Sequence, residues 1–265
     1  METQITPIKQ LKTMLSSDSI KSRFKEILGQ KAPGFISSIL SVANGNTMLQ
    51  GAEAQSVLNA AVIAATLDLP INPNLGYAAI VPYNDRKKGT CVAQFQLQYK
   101  GLVELCLRSG QFASLIDEVV YEGQLVRKNK FTGEYIFDED AKTSDKVIGY
   151  MAYFRLVNGF EKTFYMTLEE VEKHAKTYSQ TYKNGYGVWK DSFDCMARKT
   201  VLKLLLSKYA PKSIQMQQAL TFDQSVVKSD LSSTDIEEAE ITYIDNEKPS
   251  AKERLMEIAE KNISE

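Results

Sequence analysis

The side chains best spaced for chemistry in this 265-residue chain are cationic. At about 100° per residue, a helix over residues 189–209 places Lys199, Thr200, Lys203 and Ser207 on one arc, and Val201, Leu202, Leu204, Leu205 and Leu206 on the remainder. The arc holds donors and no acid. Amphipathic helices ordinarily balance lysines with acids four residues away, so a cationic stripe with a hydroxyl between the lysines suits a row of phosphates; the structural alternative is a solvated face. Arg198 projects onto the apolar side, between Leu202 and Leu205. A guanidinium there needs an anion, either a carboxylate from a neighbouring element or a bound phosphate. The loop before the helix adds Tyr178, Tyr182, Lys183, Tyr186, Trp189 and Lys190. Aromatics interleaved with lysines fit single-stranded nucleic acid, whose bases offer faces and whose phosphates need counter-charge, although such rings are more often packed than stacked.

Other chemistries are poorly provided for. No G-x-x-x-x-G-K-[ST] occurs, and no G-x-G-x-x-G opens a helix after a strand, which argues against an ATP-driven machine. No G-x-S-x-G occurs, and a single histidine, His174, leaves few ways to build a hydrolytic triad. Cys91, Cys106 and Cys195 are odd in number and widely spaced, so a reducing compartment and no zinc site are expected. The stretch Asp138-Glu139-Asp140-Ala141-Lys142 has the acid-then-lysine order of Mg²⁺-dependent nucleases, set against its place in a polar connection where acids are commonplace.

Composition, 43% hydrophobic and 25% charged, is that of a folded chain with enough length for one sizeable core or two small ones. Neither a membrane span nor a secretion signal is read. The formal charge of −1 conceals an asymmetry. Residues 1–225 carry 27 Lys and Arg against 22 Asp and Glu, whereas residues 226–265 carry 5 against 11. A basic body able to meet a polyanion is thus followed by an acidic tail.

The elements that must position the cations follow from periodicity. Residues 8–15, 20–28, 33–43 and 52–67 place apolar side chains at helical steps and predict a helical N-terminal lobe, with the last helix buried on most sides. After Pro70 and Pro73 the period becomes two. Residues 77–83 and 91–99 flank a basic loop containing Arg86, Lys87 and Lys88, which predicts a hairpin. In its second strand Ala93, Phe95 and Leu97 face a core while Gln94, Gln96 and Gln98 form a ladder of amides, and Gly101 turns the chain into a short helix over 102–107. A second β region runs over 115–166, with a turn at Phe131-Thr132-Gly133-Glu134 and an Asn158-Gly159 hairpin. Thr167-Leu168-Glu169-Glu170 has capping-box spacing and opens a helix to about Tyr178, and Pro211 stops the helix over 189–209. Beyond Ser225 a linker or tail is expected, with one amphipathic helix over 251–263 that could dock on a partner. The expected fold class is α+β, with residues 1–225 as one domain.

Several motifs, in order, resemble the RecT family of phage and prophage single-strand annealing proteins. They are Phe95-Gln96-Leu97-Gln98-Tyr99-Lys100-Gly101-Leu102, Arg108-Ser109-Gly110, Val147-Ile148-Gly149-Tyr150, and Trp189-Lys190 with Met196-Ala197-Arg198-Lys199-Thr200-Val201-Leu202, together spanning roughly residues 30–215. The resemblance implies a bent antiparallel sheet and a long helix framing a basic groove. It also implies an ATP-independent, cofactor-free protein that coats single-stranded DNA as a ring or filament of identical subunits and pairs it with a complementary strand in recombination. The implied setting is the cytoplasm of a bacterial host, alongside a phage exonuclease and with the host single-strand binding protein as a further possible partner of the tail. Candidate DNA contacts are Gln96, Gln98 and Lys100 at the strand end, Lys183 and Lys190 in the loop, and Thr200, Lys199 and Lys203 on the helix. Arg198 is carried over from the family pattern, and the tip Arg86-Lys87-Lys88 either captures the second strand or keeps an edge soluble. A Mg²⁺-dependent nuclease and a non-catalytic basic scaffold remain the alternatives.

Overall fold

The N-terminal helices form where apolar spacing and capping residues place them. In the computed structural model, which describes residues 6–85, 89–129, 131–185 and 187–243, they are α1 (Pro7–Ser16), α2 (Asp18–Leu28), α3 (Ala32–Asn44), α4 (Thr47–Gln50) and α5 (Ala54–Thr66). The Ser17 hydroxyl accepts from Ile20 N to start α2, and Asn46 Oδ1 accepts from Met48 N and Leu49 N to start α4. Helix α5 is buried along nearly its whole length and touches both the helical lobe and the first hairpin. Its small side chains admit neighbours on every side.

That hairpin is β1 (Ala78–Asp85) and β2 (Thr90–Leu97), antiparallel, with Ala78 opposite Leu97. The outer edge of β2 is closed by the rest of the chain. Cys91 O accepts from Glu53 N, Ala93 N donates to Ser56 Oγ, Phe95 O accepts from Gln224 N and Leu97 N donates to Asp223 Oδ1. Helix α6 (Tyr99–Arg108) follows at once. Gly101 therefore lies inside its first turn and does not precede it as expected. Glycine is required there because a Cβ would stand 2.1 Å from Tyr77 O.

The second β region contains β3 (Phe112–Tyr121), β4 (Leu125–Asn129), β5 (Glu134–Phe137), β6 (Val147–Leu156) and β7 (Glu161–Thr167). Strands β3, β6 and β7 make a three-stranded antiparallel sheet in that order, and β4–β5 is a separate hairpin. Register shifts at both ends of β3 interrupt its ladder, the kind of irregularity that increases strand twist. The capping box at Thr167 and Glu170 forms and opens α7 (Leu168–Tyr178), followed by α8 (Gln180–Lys183), α9 (Val188–Asp191) and α10 (Phe193–Tyr209). Helix α10 lies across β3, β6 and β7 with Val201, Leu202, Leu205 and Leu206 buried.

Three further expectations need correction, and one helix is added. The helix read over 189–209 is two helices, because Ser192 adopts φ −152° and ψ 67° and restarts the turn. Helix α11 (Ile214–Phe222), capped by Ser213 on Met216 N, occupies a stretch after Pro211 to which the sequence pattern assigns no element. The boundary at Ser225 is displaced, since β8 (Val226–Val227) and β9 (Ile241–Thr242) pair and Asn59 of α5 holds this segment. Its amide donates to Val227 O and Ser229 O and accepts from Leu231 N. The amide ladder on β2 is also incomplete, because Gln94 is fully buried with neither amide atom hydrogen-bonded. The tip residues Arg86, Lys87 and Lys88, Tyr186 and the helix expected over 251–263 lie outside the described residues.

Candidate nucleic-acid interface

Two buried carboxylates join two of the motif segments, residues 95–102 and 196–202. Asp117, on β3 and 4% exposed, accepts from Tyr99 Oη (2.5 Å) and from Arg198 Nε (2.7 Å). Arg198 Nη2 also donates to Asp117 O (2.7 Å) and lies 3.7 Å from Glu118. Burial, and then the bond to Asp117, pushes the Tyr99 phenol up to about 12, so it remains a donor. Asp223, likewise 4% exposed, accepts from Leu97 N (2.8 Å) and from Lys203 Nζ. The turn from β2 into α6 is thus fastened to α10 at two points, Tyr99–Asp117–Arg198 and Leu97–Asp223–Lys203.

This geometry revises the cationic stripe. The expected arc without acids faces Asp223, and Lys203 is already paired with it. Arg198 finds its anion in a neighbouring strand, the first of the two outcomes its position allowed. Lys199 is half-buried, and burial pushes its ammonium below the ordinary lysine value, with Asp223 opposing and Lys203 adding to the shift. His174 of α7 is likewise held below its ordinary value, first by burial and then by the charge on Lys203. The Thr200 hydroxyl donates to Met196 O. That hydroxyl hydrogen is spent on the helix itself.

The remaining candidates divide. Lys100 is exposed next to Tyr99, its stem passing over Gly76, where a Cβ would stand 3.7 Å from the lysine Cδ. Gln98 is half-buried at the N-cap of α6, and Gln96 Nε2 donates to Tyr83 Oη (3.0 Å). Lys183 and Lys190 are exposed on α8 and α9, ahead of α10. The aromatic side chains beside them are packed: Tyr182, Trp189 and Phe193 form a cluster with centroids 5.4–6.4 Å apart. The structure therefore joins the segments that carry Lys100, Arg198, Lys199 and Lys203 at one junction, leaves Lys183 and Lys190 exposed on the two helices that precede α10, and does not describe the hairpin tip.

The acidic stretch after β5 folds into a turn held against the end of β3 and Gln124, whose backbone O accepts from Asp138 N and whose Nε2 donates to Glu139 O. Asp138 Oδ1 accepts from Asp140 N (3.0 Å), and Lys142 pairs with Asp145 (2.7 Å) while its ammonium lies 3.8 Å from the Tyr121 ring centroid. Among the described residues no three His, Cys, Asp or Glu side chains converge as metal ligands, and no helix is long and apolar enough to cross a membrane. Sequence reasoning missed Asp117 and Asp223. A signal existed for the first, since Arg198 on an apolar face demands a carboxylate and Asp117 sits in a strand.

The motif glycines have structural reasons too. At Gly149 a Cβ would stand 2.4 Å from Met166 O and 2.5 Å from Tyr165 Oη. Only glycine lets the Tyr165 ring cross β6 and donate to Ile148 O (3.1 Å). The RecT family model matches residues 33–242, a span that runs through the β8–β9 segment. The chain is similar to the uncharacterized protein YqaK of Bacillus subtilis (strain 168), 45% identical over 257 residues, covering 93% of this chain and 87% of that one. It is also similar to Protein RecT of Escherichia coli (strain K12), 30% identical over 207 residues, covering 75% and 74%. With the family model covering most of its length, and with 30% identity to Protein RecT over three quarters of each chain, the chain belongs to the RecT family.

Proposed function

We propose that this protein binds single-stranded DNA and pairs it with a complementary strand during recombination, without a nucleotide cofactor and as a ring or filament of identical subunits in the cytoplasm of a bacterial host. Annealing needs no covalent step. Two strands repel through their phosphates, and a free strand is flexible and self-paired, so neutralising the backbone and holding one strand extended accelerates pairing. Position and charge carry that work.

The observation that supports this reading best is the junction of the two motif segments. Asp117 and Asp223 fasten Leu97 and Tyr99, at the turn from β2 into α6, to Arg198 and Lys203 of α10, and so fix the two segments that carry Lys100, Gln98 and Lys199. Exposed Lys183 and Lys190 extend the positive surface along the chain leading to α10. Uncharged Gln98 beside these cations suits contact with bases without choosing a sequence. The test is a gel assay with complementary oligonucleotides and purified protein, without ATP. Faster pairing with intact strands is the expected result. Shortened strands in the presence of Mg²⁺ would replace this reading by a nuclease, and neither change would leave a passive scaffold.

A further inference from the structure

Several cations of the described residues are already paired with acids of the fold: Arg198 with Asp117, Lys203 with Asp223 and Lys142 with Asp145. A phosphate approaching them must compete with a carboxylate already in place. Three other lysines are held differently. Lys128 of β4 lies 5.9 Å from the ring centroids of both Tyr135 and Tyr165. Lys162 of β7 lies 5.3 Å from the Tyr209 centroid and donates to Gly133 O (3.4 Å) in the β4–β5 turn, and Lys208 of α10 lies 5.2 Å from Tyr209. A ring face orients an ammonium without neutralising it, and leaves its hydrogens available to a further acceptor.

The rings themselves form one platform. Tyr135 and Tyr165 have centroids 5.8 Å apart, Phe137 lies within 6.3 Å of both, and Tyr209 is close enough to Tyr135 to perturb its phenol. Burial pushes the phenols of Tyr135 and Tyr165 up, Tyr165 to about 12, so both stay neutral beside the lysines. Glu170 is the acid that acts on these rings, and one of its oxygens is occupied by Thr167 N (2.8 Å). A hairpin, a sheet strand and the end of a helix, far apart in sequence, thus present three ammonium groups over a common aromatic floor.

We infer that Lys128, Lys162 and Lys208 form a second contact for the phosphodiester backbone of DNA, separate from the α6–α10 junction. The inference rests on the proposed function, and the phosphates belong either to the strand bound first or to the complementary strand that joins it. Both sources offer the same chemistry, so the experiment separates them. The Lys128→Gln, Lys162→Gln, Lys208→Gln protein is compared with the wild type for salt dependence, once with a single-stranded oligonucleotide and once with the complex carrying both strands. Loss of three contacts lowers the log–log slope by about 2, at about 0.7 for each single-strand phosphate neutralised. A lower slope already with one strand assigns the site to the first strand; a lower slope only with both assigns it to the second.

Unchanged slopes in both measurements overturn the inference while leaving the proposed function intact. Failure of the wild type to bind DNA overturns both. Independently of whether the triple variant folds, acetylation of wild-type lysines read by mass spectrometry is expected to fall at Lys128, Lys162 and Lys208 when DNA is bound. Equal labelling with and without DNA refutes the contact.

Discussion

Replacement of Asp223 separates the two jobs this carboxylate performs. One oxygen accepts from Leu97 N at 2.8 Å and the other from Lys203 Nζ, and the side chain is almost wholly buried. Asp223→Asn keeps an acceptor for Leu97 and removes the charge opposite Lys203. Removing one partner of a buried pair costs about 3–5 kcal/mol, and because the Lys203 side chain retains 31% exposure the lower end, about 3 kcal/mol, applies. Asp223→Ala also strands the Leu97 amide, adding about 1–3 kcal/mol. Lys203→Met has the mirror effect, and the Asp223→Asn, Lys203→Met double variant recovers about 2 kcal/mol of the summed losses, within the range for residues in contact. The assay is urea unfolding of all four proteins, with equal m-values required for the comparison. Single losses that add to within about 0.5 kcal/mol in the double variant would refute the claim that this pair fastens β2 to α10. The same Asp223→Asn protein releases Lys203 for a phosphate. Its single-strand salt slope is then expected to rise by about 0.7.

Two further perturbations probe other parts of the structure. Gly101→Ala drives a Cβ to within 2.1 Å of Tyr77 O, a backbone atom, so it destabilises by about 3 kcal/mol or more and displaces the start of α6; a thermal midpoint within a degree or two of the wild type would contradict the close approach. His174 has a folded pKa below its ordinary 6.5, through burial first and Lys203 second, so unfolding takes up a proton between the two values. Stability therefore rises with pH across the interval just below 6.5 and is lost as pH falls through it, and His174→Gln flattens that dependence; an equally steep profile in the variant would exclude His174 as its source.

Periodicity made the helices, the hairpins and the capping box legible, because each depends on neighbours within a few residues. What it could not supply were partners from distant elements. The lysine arc on α10 reads as unbalanced when only positions four residues away are consulted, yet its acid, Asp223, lies 20 residues further on, after a helix with little amphipathic pattern. Segment 226–243 reads as a tail because its apolar residues are sparse. Buried Val226, Val227 and Leu231, the β8–β9 pairing and three hydrogen bonds with Asn59 hold it to the body. Gly101 reads as a turn residue and Gly149 only as part of a motif, whereas both are sites of close packing against a backbone oxygen. Tyr135, Tyr165 and Tyr209 carry no signal in the sequence pattern, and only their shared position beside Lys128, Lys162 and Lys208 distinguishes them.

These placements divide the positive charge of the body into two classes with different physical consequences. Arg198 and Lys203 are fixed by acids that are themselves buried, so their main effect is to hold the α6 start against α10, and their attraction for a phosphate is largely spent. Lys100, Lys183, Lys190 and the three lysines over tyrosine rings are exposed or ring-held and keep their charge for a ligand. A surface that must hold one strand while letting it pair benefits from this division. Rigid placement comes from neutralised pairs, whose contribution falls less when salt screens the surface, whereas strand attraction comes from exposed charges and is salt-dependent and reversible. Substituting Arg198 or Lys203 should consequently act through the geometry of the junction, and substituting the exposed lysines through the salt dependence of binding, even though all are cations in one basic domain.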